Sequence, residues 1–450
     1  MHIDVLVAEI GSTTTVVNAF DLTDCRFLGQ GQAPTSVLAG DVRVGLREAT
    51  DDLRARLGAD ELSWGEMFAT SSAAGGLRMT VHGLIYDMTV RAAREAALGA
   101  GGIIGLATAG RLRRTDLERI RQARPNLILL AGGTDYGERD TAIVNAELLA
   151  RANLGVPVVY AGNIENQREI ELIFGEVGQT VYLTENVYPK LDELNIEPTR
   201  RIIHRVFEEH IVRAPGMEHI RDMVSGSIIP TPGAVMECAQ LLYAELGDLV
   251  VFDVGGATTD VHSVTDGSDE IAALLVQAEP RAKRTVEGDL GVYVNARNVA
   301  EQIGMDKLSA ELGFDAAEVL SGYHAIPKND RERALVTRLT EEAARTALER
   351  HAGRLRHVYS PTGRKTLAEG KDLSQVKWLI ATGGALTRLP DRSAIMDKLA
   401  NAGKGGMMLF PREGATRTLF DDDYILASLG VLSHKYPEKA LVLAKKSLKI

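Results

Sequence analysis

Two stretches of the sequence place an acid two residues before a turn of glycine and hydroxyl residues. Glu9 precedes GSTTT (Gly11 to Thr15), and Asp253 precedes GGATT (Gly255 to Thr259), which Asp260 follows. Glycine at the end of a strand lets backbone N–H groups approach an anion, because no Cβ stands in the way. Hydroxyls just beyond it can donate to phosphate oxygens. We therefore predict two phosphate cradles, formed by Gly11, Ser12, Thr13 and Thr14 and by Gly255, Gly256, Thr258 and Thr259.

The acids beside these turns would repel a phosphate unless a divalent cation lay between them. Mg²⁺ binds carboxylate and water oxygens together with substrate phosphates. We predict that Glu9, Asp253 and Asp260 lie at such a cation, both as metal ligands and as the catalytic residues that position a water. Phosphoryl transfer depends mainly on orientation and on neutralisation of charge. The sequence does not choose a general base among the three acids.

A third strand-like stretch, ATGGAL (Ala381 to Leu386), ends in glycines but has no acid and few hydroxyls. Glycine allows flat contact with a base or a ribose. Gly383, Gly384 and Ala385 are therefore predicted to bind the adenosine part of ATP or ADP. Each of the three turns, taken alone, is also typical of a tight loop that binds nothing. Their order and spacing together favour a Mg–nucleotide site.

Hydrophobic periodicity indicates the elements that must position these turns. Residues 4–20 are predicted as strand, turn and strand, Val42 to Leu57 as a helix, and Arg331 to Leu355 as a charged helix. Between about 101 and 215, strands alternate with helices, which predicts a parallel sheet closed by a helix from Pro198 to Ala214. The repeated acid–glycine–hydroxyl pattern suggests two related lobes.

These elements predict four segments of domain organisation. The N-terminal lobe with the first phosphate turn spans 1–100, and an inserted α/β subdomain spans 101–215. A connecting helix that returns to the N-terminal lobe spans 216–247. The C-terminal lobe, with the second phosphate turn and the adenosine turn, spans 248–450. A chain of this length exceeds what one hydrophobic core usually holds.

Composition and charge argue against several classes of function. The 450 residues are 45% hydrophobic and carry a formal net charge of -10, which disfavours nucleic-acid binding. We find no apolar run of about 18 residues and no leader pattern, so we expect a cytoplasmic protein without membrane contact. Cys25 and Cys238 are predicted to be reduced, packed thiols. The ten histidines have no metal-binding spacing, and surface or packing roles are predicted for them.

The ordered set of turns resembles the ATPase superfamily of actin, hexokinase and the heat-shock chaperones. VAEIGSTTT matches its first phosphate motif, VFDVGGATTDV its second and ATGGALTRLP its adenosine motif. PTPGAVMECAQLL and DDDYILASLGVL fall where its two connecting helices belong, and EGDLG (Glu287 to Gly291) resembles a nucleotide-side loop of the chaperone members. The resemblance implies an α/β, two-lobed actin-like ATPase fold that binds ATP in the cleft. Glu9 replaces the aspartate usual in the first motif, which leaves open a rearranged metal shell, contact through water, or an acid that faces solvent.

A narrower resemblance extends over nearly the whole chain. VLVAEIGSTTTVVNAF, LILLAGGTDYGERDTAIVNAELLA, VPVVYAGN, RTVEGDLGV and ASLGVLSHKYP are similar to the accessory family of adenosylcobalamin-dependent glutamate (methylaspartate) mutase, called GlmL or MutL. The LAGGTDYGERD segment is the part that general superfamily members lack. The resemblance implies a slow, ATP-hydrolysing reactivating chaperone that binds subunits of an adenosylcobalamin-dependent mutase and promotes release of inactive cobalamin. Formation of a homodimer stays open.

Other classes of function remain open on sequence grounds. The ATP-binding subunit of hydantoin-cleaving hydrolases carries a similar acid–glycine–glycine turn, although those chains are usually longer and lack LAGGTDYGERD. A small-molecule kinase or an actin-like filament former would share the fold, but a kinase also needs a substrate-facing acid, which we cannot locate. AGGTDYGERD (Ala131 to Asp140) is predicted either to bind a partner or nucleotide, or to be a turn that leads into a helix.

Overall fold

The chain forms two units, and it passes between them more than once. The computed structural model describes residues 1–11, 14–72, 77–211, 216–360, 363–403 and 406–450. The first unit comprises Met1–Cys238 and Ala427–Leu443, and the second comprises Ala239–Leu426 and Ala444–Ile450. Each boundary falls inside a helix, so helices carry the chain from one unit into the other.

Strands and helices alternate through most of the first unit. Its strands are β1 (His2–Ile10), β2 (Thr14–Asp21), β3 (Arg26–Pro34), β4 (Ser63–Ser71), β5 (Leu77–Gly83), β6 (Gly102–Ala109), β7 (Leu127–Leu130), β8 (Val158–Tyr160), β9 (Val181–Leu183) and β10 (Ile228–Pro230). Its helices are α1 (Val42–Arg56), α2 (Arg91–Gly99), α3 (Arg114–Ala123), α4 (Asp140–Ala152), α5 (Gln167–Glu176), α6 (Glu197–Ile211) and the first part of α7 (Thr231–Leu246).

The first sheet has the order β10-β4-β1-β2-β3. β1 and β2 form the predicted antiparallel hairpin, and β4 runs parallel to β1. Helix α1, predicted from its periodicity, begins at Asp41, whose side chain accepts the N–H of Arg43. Its apolar residues recur every three or four positions and join the core of the sheet. The hairpin therefore rests on a buried strand and a covering helix.

The second sheet of this unit has the order β6-β5-β7-β8-β9, and all its neighbouring strands are parallel. Parallel neighbours need a crossover connection, which is usually a helix. The parallel pairing confirms the parallel sheet that was predicted from the alternation of strands and helices. β5 begins at Leu77, so this sheet includes a strand from before residue 101. The helix predicted from Pro198 to Ala214 corresponds to α6, which begins at Glu197.

The second unit contains the remaining elements. Its strands are β11 (Leu249–Val254), β12 (Thr259–Val264), β13 (Ala282–Glu287), β14 (Arg354–Ser360), β15 (Gly363–Glu369), β16 (Trp378–Thr382) and β17 (Arg417–Phe420). Its helices are α8 (Asp269–Ala272), α9 (Ala296–Ile303), α10 (Met305–Leu312), α11 (Ala316–Leu320), α12 (Asp330–His351), α13 (Gly383–Arg388) and α14 (Arg392–Ala400). Helices α15 (Leu426–Leu432) and α16 (Pro437–Leu448) are shared between the two units.

The main sheet of the second unit repeats the topology of the first sheet. Its order is β13-β12-β11-β16-β17, again an antiparallel hairpin followed by parallel strands. The predicted charged helix to Leu355 was too long, because α12 ends at His351 and Arg354 already starts β14. Gly353 lies between them, where a Cβ would meet the backbone of Gly370 at 2.6 Å. The two matching sheets confirm the predicted α/β fold class with its actin-like ATPase topology.

The cysteines and the helix lengths bear on two further predictions from the sequence. Both cysteines are buried and neither forms a disulfide, as predicted for packed thiols. Among the described residues, every helix is too short or too polar to span a bilayer.

Candidate functional site

The second phosphate turn closes the hairpin between β11 and β12. The Gly255 N–H donates to the carbonyl oxygen of Thr258 at 2.9 Å, and Asp253 lies opposite Asp260 in the ladder. Gly256 is exposed, and the nearest heavy atom to the place where its Cβ would stand is 3.4 Å away. The turn is thus a tight hairpin whose tip is open to solvent, as a phosphate cradle requires.

The EGDLG segment and the two residues that follow it contact this turn on one side. The N–H groups of Val292 and Tyr293 donate to the carbonyl oxygens of Gly255 and Gly256 at 3.2 and 2.8 Å. A Cβ on Gly291 would lie 2.3 Å from the backbone of Ala257, so glycine allows the close approach. Because the turn's carbonyl groups are bonded to this segment, its conformation is fixed by the fold before any ligand arrives.

The structure gives Thr259 and Asp260 partners inside the second unit. The Thr259 hydroxyl is fully buried and donates to the carbonyl oxygen of Leu290 at 2.8 Å. Asp260 forms an ion pair with Arg284 at 2.7 Å, and the two side chains are 5% and 2% exposed. The Thr258 hydroxyl donates to the other carboxylate oxygen of Asp260 at 3.2 Å. These bonds give Thr259 and Asp260 a structural role within the second unit. Asp253 is half-buried beside the open turn.

The predicted adenosine turn lies next to Asp253. β16 runs parallel to β11 with Thr382 opposite Asp253, and α13 starts at Gly383. Gly383 has φ +84°, and a Cβ there would lie 2.5 Å from the Oδ1 atom of Asp253. Gly384 is exposed with open space around it, whereas Ala385 is buried. Gly383 is therefore required for packing between adjacent strands, and Gly384 is the one that a ligand could approach.

Two acids near this sheet were not singled out from the sequence. Asp421, fully buried after β17, accepts hydrogen bonds from the hydroxyls of Thr382 and Ser447 and from the N–H of Ile425, and burial raises its pKa. Glu287 lies opposite Thr259, and burial raises its pKa although Arg350 is bonded to it. In the sequence these two acids are marked only by the stretches DDDYIL and EGDLG that contain them. Their bonding partners Thr382 and Arg350 lie far away along the chain.

The first phosphate turn is closed by the same backbone hydrogen bond as the second. The Gly11 N–H donates to the carbonyl oxygen of Thr14 at 2.9 Å. Ser12 and Thr13, both predicted to bind phosphate, lie outside the described residues. Thr14 itself is exposed, on the first position of β2.

The structure excludes the alternative in which the Glu9 side chain faces solvent. Its side chain is buried, at 8% residue exposure, and its Oε1 accepts hydrogen bonds from the Ser428 hydroxyl at 2.6 Å and from Asn18 at 3.2 Å. Asn18 also donates to Ser428 at 2.9 Å. Glu9 is thus bonded to α15, in the stretch predicted as the second connecting helix.

A cavity of about 390 Å³ lies elsewhere in the second unit. It is bordered by α14 and β17, and its lining includes Asp397, Asn401, Thr416, Thr418 and Phe420. None of the residues predicted to bind nucleotide lines it. The candidate site is therefore defined by the open hairpin turn and not by this cavity.

The two matched sheets, each with an acid at the end of a glycine-turned hairpin, define the class as an α/β protein with actin-like ATPase topology. Residues 5–448 match the profile of the family described as MutL protein. The chain is 36% identical over 459 residues to Protein MutL of Clostridium tetanomorphum, and the alignment covers 98% of each of the two chains. The chain belongs to the MutL family.

Solved structures resemble the chain more distantly. A nucleotide-free acetone carboxylase has a TM-score of 0.41 and 16% identity over 96% of this chain and 70% of its own. A glycerol dehydratase reactivase has a TM-score of 0.31 and 12% identity over 95% of this chain and 99% of its own. Component A of (R)-2-hydroxyglutaryl-CoA dehydratase from Acidaminococcus fermentans has a TM-score of 0.31 and 9% identity, over 98% of each chain. These likenesses do not bear on function.

Proposed function

We propose that this protein is an ATP-hydrolysing accessory protein of an adenosylcobalamin-dependent mutase such as glutamate mutase. In this role it would bind the mutase subunits and promote release of inactive cobalamin. Membership of the MutL family supports the accessory role. The observation that carries ATP binding is the second hairpin turn, which is open at Gly256, braced by the EGDLG segment and flanked by Asp253.

Asp253 is the acid that we propose as the main contact to Mg²⁺. Asp260 already forms a buried ion pair with Arg284, which neutralises its charge. A carboxylate that is paired with a guanidinium is a weaker ligand for Mg²⁺, whereas Asp253 lies half-buried beside the open turn. Asp253 would hold the cation or a water bound to it, while the backbone of Gly255 and Gly256 receives the phosphates. The cation would supply neutralisation of phosphate charge.

A bound nucleotide can affect a partner protein only if it binds two conformations of this protein with different affinity. A nucleotide that binds two conformations of this protein equally would shift nothing between them. We propose that the ATP-bound and ADP-bound forms bind the mutase with different affinity, and that one of them favours the mutase conformation from which cobalamin dissociates. By linkage, the mutase should then change the affinity of this protein for nucleotide by the same factor.

The rate of ATP hydrolysis tests the proposed nucleotide site at the second phosphate turn. The purified protein should hydrolyse ATP slowly in the presence of Mg²⁺, and Asp253→Asn should lower the rate about tenfold or more, because the carboxylate charge at the cation is lost. Asp306→Asn is the matched control, since Asp306 is an exposed acid of the same unit in the first turn of α10. Equal rates for the wild type and Asp253→Asn would refute the assignment of the second turn.

Release of cobalamin tests the accessory role separately. A mutase loaded with cyanocobalamin would be incubated with this protein and Mg-ATP, and free cobalamin measured by its absorbance after filtration. Release should require both ATP and this protein, and Asp253→Asn should abolish most of it. Hydrolysis without binding to the mutase, combined with recovery of a hydantoin-cleaving subunit from native extract, would instead support the alternative hydrolase function.

A further inference from the structure

Three potential metal ligands come together in the first unit, away from both phosphate turns in sequence. They are His204 on α6, Glu237 on α7 and His434, which follows α15. One ligand atom of each lies within 4.8 Å of the others. The rings of the two histidines are 6.3 Å apart between centroids and are tilted by 34°. No spacing in the sequence predicts this cluster, because its members come from three separate segments.

His204 is held in one orientation by the backbone. It is 7% exposed, and its Nε2 atom lies 3.2 Å from the carbonyl oxygen of Ala100. A carbonyl oxygen can only accept, so this contact places the ring proton on Nε2 and leaves Nδ1 as the lone-pair nitrogen. A hydrogen bond from one ring nitrogen to a carbonyl group is the usual support of a metal-bound histidine.

Glu237 is likewise supported on one side. Its Oε1 accepts a hydrogen bond from the Nη2 of Arg200 at 2.9 Å, and the Arg200 side chain is 1% exposed. Arg200 also pairs with Glu197 at 2.9 Å, so the guanidinium charge is shared between two carboxylates. This network balances the repulsion that Arg200 would exert on a cation. Glu237 retains a second oxygen, which could bind a metal.

We propose that His204, Glu237 and His434 form a binding site for a divalent transition-metal ion, with Zn²⁺ as the reference ion. Two imidazoles and one carboxylate suit zinc, whereas Mg²⁺ and Ca²⁺ prefer oxygen ligands alone. In a tetrahedral zinc site, ligand atoms at about 2.0–2.2 Å from the ion stand about 3.3–3.6 Å apart. Any pair of these ligand atoms near the 4.8 Å limit must therefore move closer when the ion binds, and the exposed His434 is the member that can move. Water would complete the coordination.

The site would link three helical segments of the first unit. α7 and α15 both continue into the second unit, so the bound ion would fix the first-unit ends of two helices that cross the boundary. This proposal does not depend on ATP binding, because none of its residues belongs to the phosphate or adenosine turns.

Equilibrium dialysis of the full-length protein against Zn²⁺, with the metal measured by mass spectrometry, tests the site directly. Wild type should retain one zinc per chain. His434→Ala and Glu237→Gln should each weaken zinc binding about tenfold or more. Glu237→Gln keeps an oxygen that can accept from Arg200, and His434 is exposed, so both variants should fold. His219→Ala is the control, because His219 is an exposed histidine of the same unit.

Co²⁺ and thermal unfolding give independent readouts of the same ion. Co²⁺ should produce visible absorption bands of a nitrogen-and-oxygen site in wild type and in His219→Ala, and not in His434→Ala. Zn²⁺ should raise the melting temperature of the first two proteins only, since binding to the folded state stabilises it. A wild-type protein that retains no zinc, or equal retention in all variants, would overturn the proposal.

Discussion

The hairpins of the two matched sheets share their strand pairing and the hydrogen bond that closes the turn, but they differ in what surrounds their acids. In the first sheet, Glu9 lies opposite Val16, and its carboxylate is bonded to Asn18 and Ser428. In the second sheet, Asp253 lies opposite Asp260, whose charge is balanced by Arg284 on the next strand. The acid of the first hairpin thus accepts hydrogen bonds from neutral donors, whereas the acid of the second hairpin lies opposite one half of a buried ion pair.

The neighbouring parallel strands differ in the same way. Ser71 of β4 lies opposite Ile10, one position beyond the acid, and Gly383 follows β16 at the corresponding position. Ser71 is buried without a left-handed backbone, whereas Gly383 has φ +84° and packs on Asp253. The repeated topology therefore fixes where the acid of each hairpin is placed, and the residues of the neighbouring strand differ between the two units.

The largest expected effect comes from breaking the buried ion pair. Arg284→Met should lower the free energy of unfolding of the second unit by about 3–5 kcal/mol, because it leaves the Asp260 charge buried and unpaired. Adding Asp260→Val, which copies the Val16 of the first hairpin, should restore most of the loss. Urea unfolding in a Trp64→Phe background measures this, since Trp378 is then the single tryptophan.

An exposed ion pair provides the control for that experiment. Arg281 and Asp266 pair at 2.8 Å in the same unit, but their side chains are 61% and 58% exposed. Arg281→Met should cost less than about 1 kcal/mol, because water screens such pairs. A double variant no more stable than Arg284→Met would mean that the two hairpins are not interchangeable at this position.

The second prediction concerns the two glycines of the adenosine turn. Gly383→Ala should lower the free energy of unfolding by about 3 kcal/mol, since its φ of +84° is strained for alanine and the Cβ would meet Asp253 and Val254 at 2.5 Å. Gly384→Ala is the matched control, and it should stay within about 0.5 kcal/mol of wild type because nothing surrounds that position. Equal losses at both positions, measured by the same urea unfolding, would contradict the packing of β16 on β11.

Much of the fold could be predicted because its signals are local. The two hairpins follow from β-branched strands and glycine turns, and α1 from its periodic apolar residues. The end of α12 was misplaced because charged residues continue past His351, whereas the backbone is already extended at Ala352 and the Gly353 N–H donates to the carbonyl oxygen of Lys371. A helix boundary set by a tertiary contact leaves little trace in periodicity.

The partners of the site residues could not be predicted, for the same physical reason. Whether Asp260 is a free ligand or half of an ion pair depends on Arg284, on the neighbouring strand. Likewise, Ser428 reaches Glu9 from the far end of the chain. Residue type and spacing indicate which groups can do chemistry, but the fold decides which of them are already bonded to each other.

A third prediction compares one buried histidine in each unit. The ring nitrogens of His82 lie 2.8 and 3.0 Å from the hydroxyls of Thr108 and Thr80, and those of His351 lie 2.9 and 2.8 Å from Thr285 and Ser263. Burial lowers the pKa of His82 to about 4, despite the attraction of Asp116, and it also lowers the pKa of His351. Both rings are therefore neutral in the folded state, between hydroxyls that can donate and accept.

Acid should destabilise the folded state through these rings. The unfolded chain takes up a proton near pH 6.5, which folded His82 resists until about pH 4, so stability falls with pH across that window. Between about pH 7 and pH 5 the His82 contribution should be roughly 2 kcal/mol. His82→Gln should remove that part of the pH dependence, followed through Trp64 in a Trp378→Phe background. An unchanged pH dependence in His82→Gln would contradict the neutral buried ring.

The smallest expected effect concerns the neutral donors of the first hairpin. Ser428→Ala removes the 2.6 Å hydrogen bond to Glu9 but leaves Asn18 in place, so the free energy of unfolding should fall by only about 1 kcal/mol. Ser433→Ala, which removes a hydroxyl that donates to the Gly430 carbonyl oxygen, is the matched control and should cost less. The rate of ATP hydrolysis should fall less in Ser428→Ala than in Asp253→Asn, because Ser428 is bonded to Glu9 and Asn18 and is not one of the residues predicted to bind nucleotide or metal. A larger loss in Ser428→Ala would reverse the comparison and make the first hairpin the one that limits hydrolysis.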